Sequence, residues 1–137
     1  MDVSYTITPF LAWLVAGSTK FLINSVKVRQ LAFDKIGYGN LPSNHSAIVS
    51  SMAALIGLRD GIGTGMFGVA VTLAFIVLMD AANLRLQVGK QAAAINQLAE
   101  RNRQFEILRT NMGHTRGEIL TGVGVGILTA YAVNTVF

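Results

Sequence analysis

Two histidines, His45 and His114, carry most of the chemistry this 137-residue chain can offer. His45 lies in the run Pro42-Ser43-Asn44-His45-Ser46. Pro42 fixes a turn and pushes the residue before it out of helix. Ser43 or Asn44 can then N-cap a helix that begins near Ser46. The unpaired N–H groups of that helix's first turn, together with the helix dipole, attract an anion. His45 beside them can carry a proton near neutral pH. His114 precedes Glu118 by four positions, so on a helix the two share a face. A carboxylate in reach of one ring nitrogen fixes the tautomer and makes the other nitrogen a better nucleophile or base. Arg109 and Arg116 flank His114, and guanidinium groups match phosphate oxygens. Two imidazoles, a paired carboxylate and two or three cations suit phosphoryl transfer. They supply a nucleophile, an acid for the leaving oxygen and positive charge for the equatorial oxygens.

The elements that position these groups are apolar. Hydrophobic residues make up 52% of the chain, charged residues 13%, and the mean hydropathy is +0.51. That balance is too apolar for an ordinary soluble domain. The length allows a single domain over residues 1–137. No cysteine is present, which excludes a disulfide framework and thiolate zinc ligation. The net charge of +4 does not read as a nucleic-acid footprint. The basic residues lie in the gaps between apolar runs, as in a membrane protein whose loops face one leaflet.

Residues 7–26 form the first apolar run, long enough for a bilayer core of roughly 30 Å. Lys20 and Asn24 interrupt it one helical turn apart, and a lysine so deep in a span is expected to face a polar cavity or partner. A basic loop over residues 27–40, with Arg29 and Lys35, leads to Pro42. Residues 46–58 form a short helix of small residues, marginal for a span, which could be tilted, re-entrant or buried among other helices. Residues 61–79 carry no charge and are the strongest membrane segment. Gly61 and Gly65 in that run are spaced as GxxxG. The run ends at Asp80, which could reach Lys20 or Arg85, or hold a divalent cation such as Mg. If the helix continues, Asn83 and Gln87 share its face. Residues 88–111 read as an amphipathic helix at the membrane surface or against a partner. Residues 118–137 are the last apolar run, with Gly122, Gly124 and Gly126 marking a close-packing face.

The expected fold is therefore an all-α integral membrane bundle of about four membrane segments plus a cytoplasmic amphipathic helix. If the helices after Ser46 and Gly61 form a tight hairpin, the loop with Lys27, Arg29 and Lys35 lies on the same side as the segment from Arg85 to Arg116, and that basic side should be cytoplasmic. Both histidines then meet at one membrane face.

With these residues in hand the chain resembles the divergent branch of the type 2 phosphatidic acid phosphatase family, related to vanadium-dependent haloperoxidases. The resemblance rests on Leu41-Pro-Ser-Asn-His-Ser-Ala47, Met79-Asp-Ala-Ala-Asn-Leu-Arg85, Gly89-Lys-Gln-Ala92 with Asn96, and Gly113-His-Thr-Arg-Gly-Glu118. The superfamily's first motif is a lysine, six residues, arginine and proline. Lys20 and Lys27 fit that spacing, with Lys27 for arginine and Val28 for proline. Its second motif, Pro-Ser-Gly-His, is matched with Asn44 for glycine. In its third motif, His114 and Glu118 stand for the histidine and aspartate, and Arg109 is one position closer than the usual arginine.

The resemblance implies that His114 is the nucleophile, Glu118 its orienting carboxylate and His45 the general acid. It implies phosphate binding by Lys20, the backbone of Ser43 and Asn44, and either Arg109 or Arg85, and no metal. Asn24 and Asp80 are supporting candidates from the residues alone, Asp80 having no counterpart in that scheme. The substrate implied is a lipid phosphate such as phosphatidylglycerol phosphate, phosphatidate or a polyprenyl (di)phosphate. Four segments are few for a closed site, so a homodimer is expected to complete it. The alternatives are a non-catalytic membrane scaffold or lipid-phosphate binding protein, and a transporter or channel subunit.

Overall fold

The computed structural model describes residues 3–28, 41–99 and 106–137. Of the basic loop expected at residues 27–40, Lys27 and Val28 are instead the end of the first helix, and residues 29–40, like the arginines at 101 and 103, lie outside the described residues. Every regular element is helical among the described residues: α1 (Ser4–Val28), α2 (Asn44–Arg59), α3 (Gly65–Met79), a π-turn (Asp80–Leu84), α4 (Arg85–Ala99) and α5 (Arg116–Val136). Three stretches are long and apolar enough to cross a membrane: Ser4–Val26, the continuous 35-residue rod Gly65–Ala99, and Arg116–Val136. The protein is an integral membrane helical bundle, with three such spans instead of four.

The difference lies in α2. At 16 residues it is roughly 24 Å long, short of a bilayer core. It survives as the hub of the bundle, packed by α1, α3 and α5. Gly122 and Gly126 of α5 are buried against it, and a Cβ on either would overlap the Ser43 or Ala47 carbonyl. The facing residues Ser46, Ala47 and Ser50 are also small and buried. Small faces let two backbones approach where apolar burial against lipid gives little drive. The glycine face expected on α5 is thus closed within one chain, while Gly124 meets open space. The Gly61–Gly65 pair does not make a helix face. Gly61 sits in the α2–α3 turn at φ +90°, and α3 starts only at Gly65.

Helix α1 buries every fourth residue: Ser4, Thr8, Ala12, Ala16, Lys20 and Asn24. Such an i, i+4 row is the ridge by which one helix crosses another. Small residues occupy it until Lys20, where the polar end of the bundle begins. At the opposite end Arg59 ties three helices together. Its Nε donates to Asn134 Oδ1 of α5 at 3.0 Å and its Nη1 donates to the Ser4 hydroxyl of α1. Tyr5 lies under the same guanidinium and donates to Asp60 at 2.8 Å. The four helices α1, α2, α3 and α5 therefore alternate in direction between this end and the histidine end, with α2 and α3 as the expected hairpin.

The amphipathic helix expected to run to residue 111 is α4, which has reached Ala99 by the end of its described part. Residues 106–115 are an extended strap with no helix. Asn96 docks the strap on α4: its Nδ2 donates to the Leu108 carbonyl at 2.7 Å and its Oδ1 accepts the Leu108 N–H at 2.8 Å. Gly89 lets the Thr110 carbonyl lie against the helix, where a Cβ would meet it at 2.5 Å. An amide side chain satisfying both backbone groups of one residue gives the strap what a neighbouring strand would.

Candidate active site

The site forms where the starts of α2 and α5 meet the π-turn. Ser43 is the N-cap of α2, and its hydroxyl accepts from the Ser46 N–H at 3.3 Å and the Ser46 hydroxyl at 2.9 Å. Its own N–H donates to the Glu118 carbonyl at 2.9 Å, which joins the first turns of α2 and α5. Ser43 is fully buried, with its hydroxyl on the α2 cap and its N–H on α5. Asn44 turns toward α1, where its amide lies beside Gly17 and heads an apolar groove of about 420 Å³ with Trp13, Phe21 and Leu22. Its Oδ1 is buried without a hydrogen-bond partner among the described residues.

One residue further round the helix, His45 is exposed and faces His114, with ring centroids 6.4 Å apart. His114 is placed by the strap. Gly113 adopts φ +89°, a conformation glycine favours, and passes so close to Leu86 that a Cβ would lie 2.9 Å from its nitrogen. The His114 N–H then donates to the Ala81 carbonyl of the π-turn at 3.0 Å. Its Nδ1 lies 3.1 Å from Glu118 Oε2. A carboxylate can only accept, so Nδ1 carries the hydrogen and Nε2 keeps its lone pair. The same Oε2 accepts the Thr115 N–H at 2.9 Å while the Thr115 hydroxyl caps the Glu118 N–H at 3.3 Å. Glu118 is thereby held by the capping box of α5 and in turn holds His114. A cavity of about 250 Å³ opens beside His114, walled by Leu86, Met112 and Glu118.

The π-turn sets the third side. Its backbone bond runs from the Arg85 N–H to the Asp80 carbonyl, five residues apart, which brings both side chains to one face. Arg85 Nε donates to Asp80 Oδ2 at 2.6 Å and Arg85 Nη1 lies 3.4 Å from His45 Nε2. Asp80 therefore holds Arg85, one of the two partners expected for it. Lys20 is 2% exposed and acts electrostatically on both Glu118 and His45. Asn24 lies buried one turn along.

Burial, and then the cations Arg85, His114 when charged, and Lys20, push the His45 pKa below its ordinary 6.5, with Asp80 opposing them. An anion entering between these groups would reverse that balance. The structure brings together Lys20, His45, Asp80, Arg85, His114 and Glu118. It does not bring the two arginines nearest His114 in sequence. Arg109 turns its Nη2 onto the Asn111 carbonyl at 3.1 Å, and Arg116 lies on the outer side of α5 beside Asn83. Among the described residues no three His, Asp or Glu side chains converge as a metal site.

Two positioning groups escaped sequence reasoning. Thr115 was legible, since Thr-x-x-Glu before an apolar run is a capping-box signature. The Ala81 carbonyl was not, because nothing in local sequence marks a π-turn.

No solved structure matches the chain. An uncharacterized membrane protein of Bacillus subtilis (strain 168), YuiD, is 31% identical over 107 residues, covering 66% of this chain and 67% of that protein. The family profile described as "Divergent PAP2 family" matches residues 2–129, which includes every residue of the histidine cluster. With the two histidine segments, the Asp80–Arg85 turn and the strap all inside that match, the chain belongs to the divergent PAP2 family.

Proposed function

We propose that the protein is a membrane lipid-phosphate phosphatase working through a phosphohistidine on His114. The observation that carries this reading is the pairing of His114 with Glu118 on one nitrogen and with His45 across a 6.4 Å gap, next to Arg85 and Lys20. His114 Nε2 attacks phosphorus and the bond to the lipid oxygen breaks. His45 gives its proton to that oxygen, and Glu118 stabilises the positive imidazole. Water then loses a proton to His45 and attacks phosphorus, the P–N bond breaks, and inorganic phosphate leaves. Arg85 moves from His45 onto the phosphate and, with Lys20, balances the charge on its equatorial oxygens. Arg85 takes the part that spacing alone offered to Arg109.

The groove headed by Asn44, the residue before His45, suits the substrate's tail, since it runs along the exposed Trp13, Leu14 and Leu22 of α1. The site-bearing end faces the cytoplasm in this reading, following the basic loops. The test is phosphate release by purified protein in mixed micelles from phosphatidylglycerol phosphate, phosphatidate and polyprenyl phosphates, with a soluble phosphomonoester as control. Release from at least one lipid, abolished in His114→Ala, is the expected result. No release from any lipid by folded protein would favour a lipid-phosphate binding role instead.

A further inference from the structure

A second lipid-facing site lies behind the histidine cluster, on the outer side of the π-turn. Helices α3 and α5 both belong to membrane spans, yet α3 leans on α2 and the π-turn is what meets α5. The gap between them is a groove of about 320 Å³, within the range of small-ligand sites. Its walls are Phe75, Leu78, Ile119 and Leu120, and its mouth carries Asn83 and Arg116. These two polar residues belong to the Met79–Arg85 and Gly113–Glu118 motifs, and the catalytic reading uses neither. Arg116 is exposed, and no described residue forms an ion pair or hydrogen bond with it.

We propose that this groove binds an anionic phospholipid, its phosphate on Arg116 and Asn83 and an acyl chain between α3 and α5. Charge decides the occupant. No acidic side chain lines the groove. A helix from a second copy laid there with its apolar face would offer the guanidinium no counter-ion. A phospholipid brings a phosphate to that depth and hydrocarbon below it. The groove is separate from the histidine cluster, and its occupancy does not depend on turnover.

The test is native mass spectrometry of protein released from bilayers of equal phosphatidylcholine and phosphatidylglycerol. The wild type should retain phosphatidylglycerol preferentially. Arg116→Gln should lower that preference about fivefold, the effect of one arginine at an anionic interface, and Arg116→Lys should largely restore it. Leu120→Trp, which fills the groove, should lose both lipids. Equal retention of the two lipids by the wild type, or a preference unchanged in Arg116→Gln, would overturn the proposal. So would a dimer in detergent that dissociates in both Arg116→Gln and Leu120→Trp, since the groove would then hold a second copy.

Discussion

Arg85 Nη1 lies 3.4 Å from His45 Nε2, although forty positions separate the two residues in the chain. The π-turn creates this relationship by placing Asp80 where its carboxylate grips Arg85 Nε at 2.6 Å. An arginine so held is pre-aimed at whatever anion enters beside His45. Arg85→Lys should keep the charge but lose the fixed fork, lowering kcat/KM about 10²-fold. Arg109→Lys should change it by less than about fivefold, the level of an exposed charge. Steady-state release of phosphate from the best lipid in the panel reads both, and the opposite ranking would return the phosphate site to Arg109.

Glu118 serves the capping box and the His114 ring with one oxygen. Glutamine can also close a capping box, so Glu118→Gln should leave the melting temperature in detergent nearly unchanged. Its neutral amide does not stabilise a positive imidazole, and kcat should fall on the order of 10³-fold. A large drop in both quantities would mean that the cap, and not the ring, dominates the role of Glu118.

His45 titrates below 6.5 in the resting protein because burial and nearby cations disfavour its charged form. The folded chain therefore holds His45 less than half protonated at pH 6.5, where an unfolded histidine would be half protonated. Its C2 proton in NMR should titrate with a midpoint below 6.5, and inorganic phosphate or vanadate should raise that midpoint. In kinetics, the loss of kcat/KM with rising pH should set in at lower pH than the loss of kcat, since bound phosphate makes His45 easier to protonate. A resting midpoint at or above 6.5 would contradict the electrostatics described here.

Asn96 is far from the chemistry yet holds the strap that ends at His114. Asn96→Ala removes two hydrogen bonds, each worth about 1 kcal/mol net. Amide exchange at Leu108 should accelerate and kcat should fall about tenfold as His114 loses its placement. Faster exchange with unchanged kcat would show that the Ala81 carbonyl and Gly113 suffice to place the ring.

Gly122 marks one close approach of α2 and α5, with the Ser43 backbone against it. Gly122→Val should destabilise the bundle by about 1–3 kcal/mol through overpacking, read as a lower thermal midpoint in detergent. Gly124→Val, which faces open space, should leave it in place.

Several parts of this protein were decided by local sequence. Long apolar runs set the spans of α1, α3 and α5, because a segment of that length and composition has no cheaper environment than a bilayer. The turn chemistry around Pro42 and Ser43 fixed where α2 begins, and the four-residue spacing of His114 and Glu118 fixed their pairing once α5 started at Thr115. The basic gaps anticipated that both histidines would lie at one end. Other parts were decided only by tertiary structure. Whether α2 crossed a membrane alone could not be read from 16 small residues, since its place depends on the glycine face of α5 closing over it. The sequence leaves open whether Arg109 or Arg85 lies against His45, and the fold puts Arg85 there. Sequence distance favoured the arginines beside His114, but side-chain direction follows from helix phase, and one π-turn resets that phase for everything after Asp80. The strap was hidden for a related reason: residues 106–115 take their conformation from Asn96, Gly89 and Leu86 on α4, contacts that no local propensity encodes.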